Sequence, residues 1–185
     1  VPPANEYVIA SHWRVRAPLA EVVDAMADPT ELPRWWPAAY LAARELDPGR
    51  PSDGVGKRVA MHVKGFLPYT VRFELEVTEN RYPHGISTVA RGDIEGEGYW
   101  HVFQHGEYTD LHHVWTVRAD RPLLRLLSPL LRPLLEYNHR WSMKRGEASL
   151  KLELLRRRGE AVPPPPQPTF AWLARARAAL AARAR

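Results

Sequence analysis

Residues 111–158 read LHHVWTVRAD RPLLRLLSPL LRPLLEYNHR WSMKRGEASL KLELLRRR, and the change of period inside this stretch decides the fold. In its first seven residues Leu111, His113, Trp115 and Val117 alternate with His112, Val114 and Thr116, the two-residue repeat of a strand with one face buried. From residue 122 the repeat becomes that of a helix. Leu124, Leu127, Leu131, Leu134 or Leu135, Asn138, Trp141 or Ser142, Arg145, Ser149 and Leu152 track one stripe. Pro129 and Pro133 fall in its first third, which predicts a kink or a separate opening turn there.

Toward the N-terminus the two-residue repeat recurs. Tyr7, Ile9, Ser11, Trp13 and Val15 share one strand face. Pro18 then opens a helix with Leu19, Val22, Val23 and Met26 at helical spacing, closed by Asp28-Pro29. Leu32-Pro33-Arg34-Trp35-Trp36-Pro37 reads as a second short helix or turn carrying two indoles. Alternation resumes at Val59, Met61 and Val63, at Tyr69, Val71, Phe73, Leu75 and Val77, and over residues 86–91 and 99–104. Asn80, Pro83-His84-Gly85, Gly92, Gly96 and Gly106 punctuate it as turns. A strand, two short helices, about six antiparallel strands and one long helix predict an α+β fold. One curved antiparallel sheet of about seven strands wraps around the C-terminal helix. Such a sheet leaves a space beneath the helix unless very large side chains fill it.

Toward the C-terminus, Pro163-Pro164-Pro165-Pro166-Gln167-Pro168 is a stiff, donor-poor run that separates two units. The expected organisation is a domain over residues 5–158, a proline-rich linker over 159–168, and a basic Ala/Arg tail over 169–185. Thr169 is placed to cap a short helix in that tail. Phe170, Trp172, Leu173 and Leu180 beside Arg175, Arg177, Arg183 and Arg185 leave three readings: a membrane-surface contact, a subunit contact, or a disordered end.

Composition narrows the function. The chain has 185 residues, 45% hydrophobic and 25% charged, as in a soluble globular protein. It has no Cys, which excludes disulfide frameworks, thiol catalysis and Cys-ligated metals. No apolar run reaches the ~20 residues of a membrane span. The N-terminal residues lack a secretory pattern, so a cytoplasmic location is expected. Net charge is +5, yet residues 163–185 hold four Arg and no acid, leaving the body close to neutral. No nucleic-acid partner is expected from such a body.

Several stretches resemble the SRPBCC superfamily, which includes START lipid-transfer domains and polyketide cyclase/dehydrase proteins with the helix-grip fold. They are Trp13-Arg14-Val15-Arg16-Ala17-Pro18 running into Val22, then Asp28, Trp35-Trp36-Pro37, residues 91–100, residues 111–117 and residues 138–147. The resemblance spans about residues 6–157. It implies a deep cavity between the sheet and the last helix, with Trp35 and Trp36 closing one end. The ligand-facing set expected on this basis is Ser11, Trp13, Trp35, Trp36, Met61, Phe73, Trp100, His113, Trp115, Asn138, Trp141 and Ser142. Trp100 is placed inward by family likeness. The polar members Ser11, His113, Asn138 and Ser142 either bond one another, tying helix to sheet, or orient a ligand's carbonyl or hydroxyl.

Catalytic and metal signatures are sparse. His101 and His105 stand about 13 Å apart if they lie on a strand, and His112 and His113 point to opposite faces. No metal site and no cofactor are expected. Ser11 with His113 lacks a nucleophile elbow, and Asp93, Glu95 and Glu97 read as solvated carboxylates around a hairpin. The leading expectation is binding or transport of a small hydrophobic ligand: a lipid, polyketide or aromatic compound. The alternative is a polyketide cyclase or aromatase in which His113 acts as acid and base.

Overall fold

A computed structural model describes residues 6–118 and 122–171, with side chains over residues 8–117 and 133–171. The tail beyond residue 171 and the first five residues lie outside the described part, as do the side chains of Leu124, Leu127 and Leu131. The chain runs through β1 (Glu6–Val15), α1 (Leu19–Met26), a 3-10 turn (Pro29–Glu31), α2 (Leu32–Trp35), β2 (Tyr40–Asp47), β3 (Arg58–Lys64), β4 (Thr70–Asn80), β5 (Gly85–Gly92), β6 (Glu95–His105), β7 (Tyr108–Arg118) and α3 (Pro122–Arg157). The strands form one sheet in the order β1-β7-β6-β5-β4-β3-β2, antiparallel throughout. This is the expected helix-grip architecture, with a 3-10 turn added between the two short helices. Among the described residues no helix is long and apolar enough to cross a membrane.

Two elements depart from the sequence reading. β2 has no clean alternation, because irregular pairing with β3 between Tyr40 and Ala42 and between Glu45 and Asp47 interrupts the pleat. It is also an edge strand, free of the need for two coherent faces. β6 begins at Glu95, so Gly96 and Gly98 lie inside a strand rather than at a turn. A Cβ at Gly98 would press into the Trp115 indole across the ladder, so glycine there makes room for the tryptophan.

α3 is one helix through Pro129 and Pro133, so the separate opening turn does not form. Its inward face also differs from the predicted stripe. Arg145 is exposed and Leu152 half-buried, whereas Met143, Gly146, Ser149, Leu150, Glu153 and Leu154 are buried. A seven-residue reading drifts by ~20° per heptad against a straight helix, which carries it off the true face within two heptads.

The core gathers under the C-terminal half of α3. Trp13, Trp35 and Trp36 are almost wholly buried with Val15, Val22, Leu111, Leu150 and Leu154. Trp13 meets Trp36 edge-on at 5.3 Å, and Trp36 stacks on Trp35 at 5.8 Å. Gly146 permits this packing, since a Cβ there would overlap the indoles of both Trp36 and Trp13. Glu153, 1% exposed, receives two hydrogen bonds from Arg34 at 2.7 and 2.9 Å and one each from Arg156 and Arg157 at 2.8 Å. Burial alone would raise its pKa, but these guanidinium bonds outweigh it and hold the carboxyl at about 2. The ion cluster ties α2 to α3 beside the tryptophans.

Candidate functional site

Under the other half of α3 the sheet and helix do not meet. The gap is a cavity of about 690 Å³, within the range of small-molecule pockets. Strand register sets its floor. Ser11, His113, Trp100 and Ile86 form one cross-strand row, and Ile9, Trp115, Gly98 and Thr88 the next. Met61, Val63, Phe73 and Leu75 extend the floor over β3 and β4, while Leu135, Asn138, His139, Ser142 and Met143 of α3 make the roof. Trp35, Trp36 and Tyr40 wall the packed end. Exposed lining residues are Tyr69, Thr70 and Asp93 at the other end, and also Ala27 after α1 and Tyr82 in the β4–β5 loop.

Polar groups in this apolar space are few and specific. His113 lies in a stack of rings, 4.3 Å from Trp100, 6.1 Å from Trp115 and 6.0 Å from His139. Its Nδ1 is buried with no hydrogen-bond partner among the described residues. Burial, with a smaller contribution from neighbouring His139, pushes its pKa down to about 3; burial pushes His139 down to about 4. Both imidazoles are therefore neutral at physiological pH, each with one donor and one acceptor nitrogen. His139 Nε2 and Ser11 Oγ stand 3.3 Å apart. Asn138 Oδ1 accepts from the Leu67 amide at 3.2 Å, tying α3 to the β3–β4 loop. Tyr40 is walled in, and burial pushes its phenol up to about 12. At the rim, burial lowers the Lys64 pKa, and its ammonium donates to the Leu67 carbonyl at 2.8 Å.

Nine of the twelve anticipated residues line the cavity: Trp35, Trp36, Met61, Phe73, Trp100, His113, Trp115, Asn138 and Ser142. Three do not. Trp13 is locked in the tryptophan core. Ser11 lies behind His139, and Trp141 turns sideways to Phe66, 5.9 Å away, with Arg145 over its ring. The polar residues do not form the single network the sequence allowed, because Asn138 bonds the loop and Ser11 meets His139 instead. His139 is the main residue the sequence reading missed. One position past Asn138, it belongs to the same inward face, and helical spacing to Ser142 and Met143 was the available signal. Tyr40 was missed because β2 has no clean alternation, whereas Thr88 shares the inward face with Ile86 and their two-residue spacing was the available signal.

Chemically, this arrangement offers single hydrogen bonds to a hydroxyl or carbonyl surrounded by aromatic and aliphatic surface. Imidazoles with pKa values of about 3 and 4 are weak bases. Among the described residues no group of three or more His, Cys, Asp or Glu is arranged to hold a metal ion.

A family model described as polyketide cyclase / dehydrase and lipid transport matches residues 9–155. Among solved structures, the chain is similar to an aromatase/cyclase, Zhui, from Streptomyces sp. R1128, at 18% identity and a TM-score of 0.66, covering 84% of this chain and 97% of that one. A protein from Thermus thermophilus aligns at 17% identity and a TM-score of 0.65, over 82% of this chain and 99% of that one. A START superfamily protein from Mycobacterium smegmatis aligns at 18% identity and a TM-score of 0.52, over 74% and 97%. At these identities the likeness establishes the fold. No curated protein matches the sequence.

Proposed function

We propose, from the premise that the chain belongs to the polyketide cyclase/dehydrase and lipid-transport family, that it binds and carries a small hydrophobic molecule in the cavity beneath α3. The observation that carries this reading is the cavity itself: about 690 Å³ of largely apolar space with one unpartnered imidazole, His113, in its floor. A buried polar atom left unpaired costs roughly 1–3 kcal/mol, which a ligand hydroxyl or carbonyl on His113 would offset. The ligand is accordingly an apolar or aromatic body with at least one neutral oxygen.

Native mass spectrometry of freshly purified protein, followed by solvent extraction, tests this reading. A reproducible added mass of a few hundred daltons, released as a compound with a carbonyl or hydroxyl, is the expected result. A protein that emerges unliganded and takes up no lipid, polyketide or aromatic compound on incubation would contradict it.

The catalytic alternative, a cyclase or aromatase using His113 as acid and base, has one observation in its favour. His113 and His139 both line the cavity with their rings stacked at 6.0 Å, and His139 Nε2 stands 3.3 Å from Ser11 Oγ. Against it, imidazoles held this far below neutrality are poor bases, so proton transfer would require the bound substrate to restore their basicity. His113→Gln separates the two readings. Binding with the same affinity and unchanged turnover of any substrate found would exclude the proton-transfer role, whereas lost turnover with retained affinity would establish it.

A further inference from the structure

The cavity is longer than its volume suggests. Thr70 and Asn80, the first and last residues of β4, both line it, and a strand of that length rises roughly 30 Å. A compact chamber of about 690 Å³ would measure only about 11 Å across. The space is therefore a passage lying along β4. One mouth opens beside Thr70 and Asp93. At the opposite end of β4 the exposed lining residues Ala27 and Tyr82 mark a second.

Two banks frame this second mouth. Met26, Ala27 and Pro29, at the end of α1 and in the 3-10 turn, form one; Asn80, Tyr82 and Pro83 of the β4–β5 loop form the other. Each bank is anchored on its own. Asp28 accepts from Lys57 Nζ at 3.1 Å. The loop is closed by the Arg81 amide donating to the Gly85 carbonyl at 2.8 Å and the His84 amide to the Arg81 carbonyl at 2.7 Å. Among the described residues one hydrogen bond crosses between the banks: the Tyr82 hydroxyl, on a 57% exposed residue, donates to Asp24 Oδ1 at 3.0 Å. An exposed bond of this kind exchanges readily for bonds to water, so it opens without disturbing either bank.

Strand register puts the unpartnered imidazole at the same end. Asn80 pairs with Ile86, Ile86 with Trp100 and Trp100 with His113. This row crosses the floor from the second mouth to His113 in three strand spacings, about 14 Å. The first mouth is farther from it, because β5 runs roughly 20 Å from Ile86 to the turn at Asp93. Given the carrier reading above, on which this step rests, we propose that the cavity is a through-passage with a second mouth between Ala27 and Tyr82, and that it takes a linear-chain molecule. The oxygen of that molecule meets His113, and its apolar chain extends along the strands toward Thr70. A compact fused-ring ligand reaches the imidazole but leaves that stretch empty. The Tyr82–Asp24 hydrogen bond is the latch of the second mouth.

Titration of the full chain with 1-octanol, 1-decanol and 1-dodecanol, followed by tryptophan fluorescence with 1-naphthol as the compact probe, tests the shape. Affinity should rise about fourfold for each added CH₂ through dodecanol, because every carbon is newly buried. A plateau at octanol, or binding of naphthol without dodecanol, overturns the passage and leaves the carrier reading standing. Binding of neither class overturns both. The second mouth is tested by release rates. Tyr82→Phe keeps the ring and removes only the latch, so it should speed dodecanol release several-fold. Ala27→Trp places a large side chain in the opening and should slow release several-fold. An unchanged rate in either variant overturns the second mouth.

Discussion

The two halves of α3 face the same sheet and do opposite things. From Met143 to Leu154 the helix rests directly on Trp13, Trp36 and their neighbours, with Gly146 removing the one side chain that would hold them apart. From Leu135 to Ser142 it stands off from the sheet, and the floor below is set with His113, Trp100 and Trp115. The packed half fixes the distance between helix and sheet; the other half inherits that distance without the side chains to fill it. The lesson is that a cavity can be built by packing. A tryptophan core and an ion cluster hold the roof in place, so the hollow does not collapse onto its own apolar lining.

The comparison breaks most visibly if the packed half is not what bears the fold. Trp36→Ala should lower stability by about 4 kcal/mol in urea denaturation, the ordinary cost of emptying a large buried aromatic site. A loss below ~1 kcal/mol would mean that the roof is held elsewhere.

Glu153→Ala should follow at about 3 kcal/mol at neutral pH, since it leaves three guanidinium groups facing one another. Its pH signature is specific. The folded pKa of about 2 lies below the ordinary 4.5, so the contribution is complete above about pH 4.5 and lost as pH falls toward 2. The stability gap between wild type and variant should close over that interval. A gap independent of pH would exclude the ion cluster as its cause.

The hollow half carries the opposite charge signature, from groups that must stay neutral. His113 and His139 sit at about 3 and 4 against an ordinary 6.5, so the unfolded chain takes up their protons first. The stability they lend is full above about pH 6.5 and falls below it, by up to ~1.4 kcal/mol per pH unit for each group. In His113→Phe the decline between pH 6.5 and 4 should be shallower than in wild type. Identical slopes would place His113 in contact with water.

The smallest stability effect belongs to Ser142→Leu, which adds apolar volume to empty space. It should change stability by less than about 1 kcal/mol while weakening an apolar probe about tenfold. A large stability loss with intact binding would mean that this part of the interface is already filled.

These contrasts also explain what the sequence revealed. The strands of the floor were legible because one buried and one wet face impose strict alternation, as in Leu111-His112-His113-Val114-Trp115. The packed half of α3 was less legible, since its decisive residue is Gly146, whose role is to be absent, and Glu153 looks like any solvated carboxylate until Arg34 arrives from α2. His139 escaped because the stripe was drawn through Asn138 alone, although the inward face is wide enough to hold both neighbours. Nothing local in the sequence announces that the Thr169 hydroxyl donates to the loop carbonyls of Gly65 and Phe66, a contact over a hundred residues distant in sequence.

The most direct test uses the indole N–H signals of the protein's own tryptophans in a ¹H–¹⁵N titration with 1-anilinonaphthalene-8-sulfonate. Trp100 and Trp115, in the cavity floor, should shift saturably, while Trp13, sealed in the packed half, should stay in place. Shifts of equal size at all three, or none at any, would contradict the division of this interface into a packed support and a hollow half.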